Sequence, residues 1–165
     1  QPYEDNEEKI DLQSKIMTYK IYFEEGHKFE LRNIRPLTGI IGLYFIYNKE
    51  LEIQYPFCKS RLIYIGMSER GTNSIGKRLQ GHLEGVSGNE GIINYQITNE
   101  VCFTYINFEM LKNIWALSIE SLESYFILSF VDRHGVYPIC NNKTGYDIQH
   151  AELARSLIID WKYFE

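Results

Sequence analysis

Gly42-Leu43-Tyr44-Phe45-Ile46-Tyr47 and Leu62-Ile63-Tyr64-Ile65-Gly66 are two short runs dense in aromatic and β-branched residues, separated by a charged segment that includes Gln54 and Pro56. Such side chains suit a pleated, half-buried surface, so the runs predict two strands paired with one another. The segment after them, Ile75-Gly76-Lys77-Arg78-Leu79-Gln80-Gly81-His82-Leu83, changes period. Ile75, Arg78, Leu79, His82 and Leu83 recur at i, i+3, i+4, i+7 and i+8, which predicts a helix whose apolar face also carries a guanidinium and an imidazole. Both groups then point toward the strands rather than into open solvent. Gly42 and Gly66 flank Tyr44 and Tyr64, where a missing side chain lets another group come close to the backbone.

Working outward toward the C-terminus, residues 84–96 are interrupted by Gly85, Gly88 and Gly91 and read as loop, with room for a short helical turn. Residues 101–108 supply a third strand. The best helix runs over about 111–130 and ends before Asp132, Gly135 and Pro138. On it Glu123 has Ile119, Phe126, Ile127 and Phe130 for helical neighbours, an apolar surface on which a carboxylate is costly unless a cation or hydrogen bonds compensate. Glu120 is easier to solvate, so Glu123 is the better candidate metal ligand. Residues 151–164, with Leu153, Leu157, Ile158 and Trp161 at helical spacing, read as a packing helix that starts near Asp147 or His150.

Toward the N-terminus, residues 1–11 are acidic and read as a mobile arm. Tyr19-Lys20-Ile21-Tyr22-Phe23 reads as a strand paired, through Glu24-Glu25-Gly26-His27, with Phe29-Glu30-Leu31. This extension either covers a sheet edge or helps to hold substrate. His27, His134 and His150 read as structural or solvent-facing.

The 165 residues suit one domain, long enough to remove about two thirds of the unfolded surface from water. The formal net charge of -5 is awkward for a protein that grips phosphates, but most of it lies in the first eleven residues. Over residues 59–78, Lys59, Arg61, Arg70, Lys77 and Arg78 face Glu69 alone, a locally basic stretch. Cys58, Cys102 and Cys140 are widely spaced and lack a Cys-x-x-Cys pair, which argues against zinc and for free thiols in a reducing, cytoplasmic setting. No run of eighteen apolar residues exists and no signal-peptide pattern opens the chain, so no membrane association is expected.

Gly42-Leu43-Tyr44 with Ile46, Tyr64-Ile65-Gly66, Arg78 with His82, then Glu123, and Pro138-Ile139-Cys140-Asn141 follow one another in an order that resembles the GIY-YIG nuclease superfamily. The resemblance covers residues 40 to 142 and implies an α/β (α+β) fold. In it, helices flank a small, mainly antiparallel central sheet over residues 38–165, with residues 1–37 as an N-terminal extension. It implies a metal-dependent DNA endonuclease leaving 5′-phosphate and 3′-hydroxyl ends. Tyr44 would be general base and Tyr64 would orient water or phosphate. Arg78 would stabilise the scissile phosphate, with Lys77 beside it on the substrate. Glu123 would hold Mg²⁺, with Mn²⁺ as a substitute. His82 would hydrogen-bond Tyr44, share in proton transfer or contact phosphate. Gly42 and Gly66 would permit close approach, and Asn141, or Asn142 in its stead, would hold the loop near Glu123 or contact DNA. With no DNA-reading module evident, sequence specificity would come from loops, the extension or a homodimer. The rival is a non-catalytic nucleic-acid or protein-binding module of the same fold, favoured by the acidic charge and the long intervals between motifs.

Overall fold

The computed structural model describes residues 18–141 and 157–165. The acidic arm, the proposed helix start at Asp147 or His150, Leu153 and Asn142 lie outside the described residues. The fold is α+β, centred on a four-stranded antiparallel sheet. Its strands are β2 (His27–Lys28), β3 (Gly42–Asn48), β6 (Leu62–Ser68) and β7 (Val101–Asn107), in the spatial order β2-β7-β3-β6. Every residue of β3 is buried, because the sheet is covered on both faces.

The two faces follow the alternation of β3. Leu43, Phe45 and Tyr47 pack with α4 (Ile119–His134) through Leu122, Phe126 and Phe130, and with Trp161 and Phe164. Tyr44 and Ile46 pack on the other side with α1 (Leu31–Ile34), α2 (Ile75–Leu83) and α3 (Glu90–Thr98), through Ile34, Ile75, Leu79 and Ile92. A bulge in β6 alters this pattern. Ile46 faces Tyr64 and Tyr47 faces Leu62, leaving Ile63 without an opposite number. The extra residue puts Ile63 and Tyr64 on the same side, so Tyr64 joins Tyr44 on the face covered by α2.

The helix expected over 75–83 is present, with Ser74 as N-cap accepting from the Lys77 amide. Several expectations are corrected. Residues 84–96 are not merely loop: Asn89 caps α3, and at Gly91 a Cβ would lie 2.8 Å from Cys140 Sγ, so the bare glycine lets the helix pack against that thiol. The helix carrying Glu123 starts at Ile119, not near Leu111, because Ser118 is its cap and Phe108–Leu111 is a separate 3₁₀ turn. It continues through Asp132 to His134, and Gly135 at φ 94° stops it in the left-handed conformation.

The N-terminal hairpin does not form. β1 (Tyr19–Ile21) instead runs parallel to β8 (Leu157–Ile159), while β2 pairs with β7 and so covers an edge of the main sheet. The described part of the expected C-terminal helix is that strand followed by a 3₁₀ turn, Trp161–Phe164. Leu157 and Ile159 are buried and Ile158 is exposed, a two-residue alternation favoured by the β-branched pair. A short hairpin, β4 (Ile53–Gln54) and β5 (Lys59–Ser60), occupies the long interval between the motif strands. Among the described residues no helix is long and apolar enough to cross a membrane.

Candidate functional site

Tyr44 lies opposite Gly66 across the β3–β6 ladder. A Cβ on Gly66 would sit 2.3 Å from the Tyr44 Cζ and 2.4 Å from its hydroxyl, so the bare glycine is the floor on which the phenol rests. Gly42 serves a different neighbour: a Cβ there would meet the Ile106 carbonyl oxygen at 1.9 Å. The close approach expected at these glycines is thus taken up by the chain's own Tyr44 and β7 backbone.

α2 crosses the same face and delivers Arg78 and His82 to the phenol. Gly76 lets it settle there, since a Cβ would meet the Thr38 nitrogen at 2.7 Å. Arg78 Nε, which can only donate, donates to the Tyr44 hydroxyl oxygen at 3.4 Å. The Tyr44 hydroxyl can donate to His82 Nε2, 3.0 Å away. That requires the tautomer with its hydrogen on Nδ1, which donates to Ser87 Oγ at 2.7 Å. Arg78, Tyr44, His82 and Ser87 are thereby linked in one hydrogen-bonded line, and Tyr64 also acts on the Tyr44 hydroxyl through a side-chain hydrogen bond. The Tyr64 ring packs beside this line, 4.9 Å from His82 and 6.0 Å from Tyr44 between centroids.

Glu123 comes from α4, on the far side of the sheet. β6 is an outer strand and α4 packs against it, so a side chain on the flank of α4 can act past the sheet edge. Glu123 is 2 % exposed, whereas Glu120 is exposed in the first turn of the helix. Its charge is felt by both Tyr64 and Arg78. The phenols, the guanidinium and the carboxylate therefore form one electrostatic unit.

Burial dominates the acidities here. It pushes the Tyr44 phenol well above its ordinary range, helped by Tyr64 and opposed by Arg78. Burial likewise raises Tyr64, and Glu123 adds to the effect. Burial and then the Arg78 charge pull His82 down to about 4, so the imidazole is neutral. Burial works against the Arg78 cation, but Tyr44, Tyr64 and Glu123 together outweigh it and raise Arg78 further. The site holds a permanent cation, neutral phenols and a neutral imidazole that resists protonation.

Arg78 also lines a cavity of about 350 Å³ with Met67, Glu69, Arg70, Thr72 and Asn73. The turn that shapes it is held by Ser68, whose hydroxyl donates to the Asn73 carbonyl at 2.6 Å. Lys77 is exposed on the outer side of α2, with its ammonium donating to the Thr72 carbonyl. Asn141 stands apart from the cavity. Its amide side chain accepts from the Ile65 N–H at 3.0 Å and donates to the Ile65 carbonyl at 2.9 Å, acting as one further rung on the outer edge of β6. Asn141 thus ties its segment to the backbone of β6. Ser87 and Asn73 went unnoticed in the sequence, and only the proximity of Ser87 to His82 in a glycine-rich turn could have pointed to the first.

His27 is exposed and His134 is fully buried. Comparison of the chain with protein-family models, with curated proteins and with solved structures returned no match.

Proposed function

We propose that this chain hydrolyses phosphodiester bonds in DNA, with a divalent cation, in the manner of the GIY-YIG nucleases that its motif residues resemble. One observation carries the reading: a phenol, a guanidinium and a carboxylate from three separate elements act on one another electrostatically beside a cavity lined by Arg78. Buried polar groups of this kind are costly for a fold to keep, and their convergence suits catalysis better than packing.

The donor set fits a hard cation. Glu123 offers one buried carboxylate whose charge acts on Tyr64 and Arg78, and a site with few protein ligands suits Mg²⁺, which keeps several of its waters. Bound there, such an ion would polarise a phosphoryl oxygen and make a water more acidic. The chain's own residues account for the rest. Arg78 meets a phosphate oxygen with a charge that never titrates away, and the fork geometry of its guanidinium limits the orientations of the phosphate. Arg70 extends the cationic wall of the cavity.

The hydrogen-bond chain suggests how Tyr44 serves as base although its own ionisation is suppressed. As a water passes a proton to the Tyr44 oxygen, the original phenolic proton passes to His82 Nε2. The phenol is neutral before and after, at the cost of a positive charge on His82 that burial and Arg78 disfavour until the proton moves on. Ser87 holds the tautomer that leaves Nε2 open to receive that proton.

The test is supercoiled plasmid incubated with the protein in Mg²⁺ or in EDTA, beside Glu123→Gln and Tyr44→Phe. Nicking in Mg²⁺, its loss in EDTA and a decrease of at least about 100-fold in both variants are expected. DNA bound but left uncut in every metal would favour the binding module. Cleavage at full rate by both variants would remove these residues from the chemistry.

A further inference from the structure

At the opposite end of α4 lies a second cluster, which the proposed chemistry does not use. The helix rises about 16 Å between Glu123 and His134. Cys58, His134 and Glu165 each bring one ligand-type atom to within 4.8 Å of the others. They come from the β4–β5 turn, the last turn of α4 and the residue after the 3₁₀ turn at 161–164, segments already packed together. The Phe57 amide donates to the His134 carbonyl at 3.1 Å, and the Arg61 amide donates to the Phe164 carbonyl at 2.7 Å.

His134 Nδ1 is 2.9 Å from the Phe130 carbonyl oxygen and can only donate to it. With the hydrogen fixed there, Nε2 of the neutral ring carries a lone pair. That nitrogen is fully buried and has no hydrogen-bond partner. It faces Glu165 Oε1 at 3.5 Å, itself an acceptor, and Cys58 Sγ lies 3.7 Å from the same oxygen. Oε1 already accepts from Arg133 Nε at 2.6 Å and from the Cys58 thiol, but the Nε2 lone pair is left facing an acceptor, which calls for something positive between them. A proton is a poor candidate, because 3.5 Å exceeds an ordinary N–H···O bond. A metal ion with bonds of about 2.0–2.1 Å to nitrogen and oxygen and about 2.3 Å to sulfur fits better. In a tetrahedron it sets the N···O edge at about 3.4 Å and the S···O edge at about 3.5 Å.

We infer that Cys58, His134 and Glu165 form a zinc site with three protein ligands and one open position. Thiolate, imidazole and carboxylate together suit Zn²⁺ rather than Mg²⁺ or Ca²⁺. The outer groups are those a zinc site requires. The Phe130 carbonyl fixes the imidazole tautomer, and Arg133 grips Glu165 through both carboxylate oxygens, at 2.6 and 2.7 Å. Bound zinc would clamp the β4–β5 turn and the chain's last residues onto the end of the helix. Sequence spacing argues against zinc because the ligands are scattered, and only the fold brings them together.

The full chain is stripped with chelator and titrated with ZnCl₂, then with Co²⁺ as a spectroscopic probe. One zinc per chain, a rise in melting temperature and a Co²⁺ spectrum with a thiolate charge-transfer band are expected. Cys58→Ser, conservative and at a partly exposed position, should remain folded by circular dichroism. It should lose the thiolate band and weaken zinc binding by at least about 100-fold. Glu123→Gln should bind zinc like the unaltered chain. Failure of the unaltered chain to bind zinc, undiminished binding by Cys58→Ser, or loss of binding in Glu123→Gln alone would each overturn the site.

Discussion

Replacing Gly66 by Ala tests the central contact of the candidate site without any assumption about activity. The added methyl would start 2.3 Å from the Tyr44 Cζ, and the ring, fully buried, has nowhere to retreat. Overpacking of this kind costs about 1–3 kcal/mol. In a strand without the clash the same change should stabilise by about 0.5–1 kcal/mol, because alanine loses less backbone entropy than glycine. The effect should therefore reverse sign in a Tyr44→Ala background, where the ring is gone. A double-mutant cycle from urea unfolding of the four proteins is expected to give a coupling of about 1.5–4 kcal/mol. Equal costs in both backgrounds would refute the claim that Gly66 is there to seat the phenol.

His82 predicts a pH effect on stability. Unfolded, its imidazole takes a proton near pH 6.5; folded, only at about 4, so stability present above the upper value is lost as pH falls through the window. Between neutral pH and about pH 4.5 the loss should be about 2–3 kcal/mol larger in the unaltered chain than in His82→Gln, read from urea midpoints at the two pH values. Parallel pH dependence in the two proteins would count against a neutral, buried ring. Asn141→Ala should cost about 2–4 kcal/mol, because it strips the Ile65 N–H and carbonyl of their partners together. The Ile65 amide should then exchange its hydrogen far faster, and unchanged protection there would argue that the side chain is no part of the sheet edge.

Local order along the chain determined a good deal. The aromatic and β-branched runs around Tyr44 and Tyr64 became β3 and β6, and the spacing of Ile75, Arg78, Leu79 and His82 placed a cation and an imidazole on the inward face of a helix. The preference for Glu123 over Glu120 followed from the apolar neighbours of each, and burial separates them in the same way. Such features are legible because period and propensity depend on residues a few positions apart. Where the periods competed, the sequence misled. Leu157 and Trp161 share a helical spacing, but pairing with β1 made their segment a strand and a turn.

Tertiary structure alone decided the rest. The register that sets Gly66 under Tyr44, the bulge at Ile63 that turns Tyr64 toward its partner, and the Asn141 amide closing the edge of β6 all depend on which backbone lies beside which. The same holds for Cys58, His134 and Glu165, distant along the chain and adjacent in space. Hydrogen-bond pairing between strands fixes relative position to a single residue, and a slip of one would turn every side chain to the opposite face. No local pattern carries that information, because it resides in contacts formed only when distant segments meet.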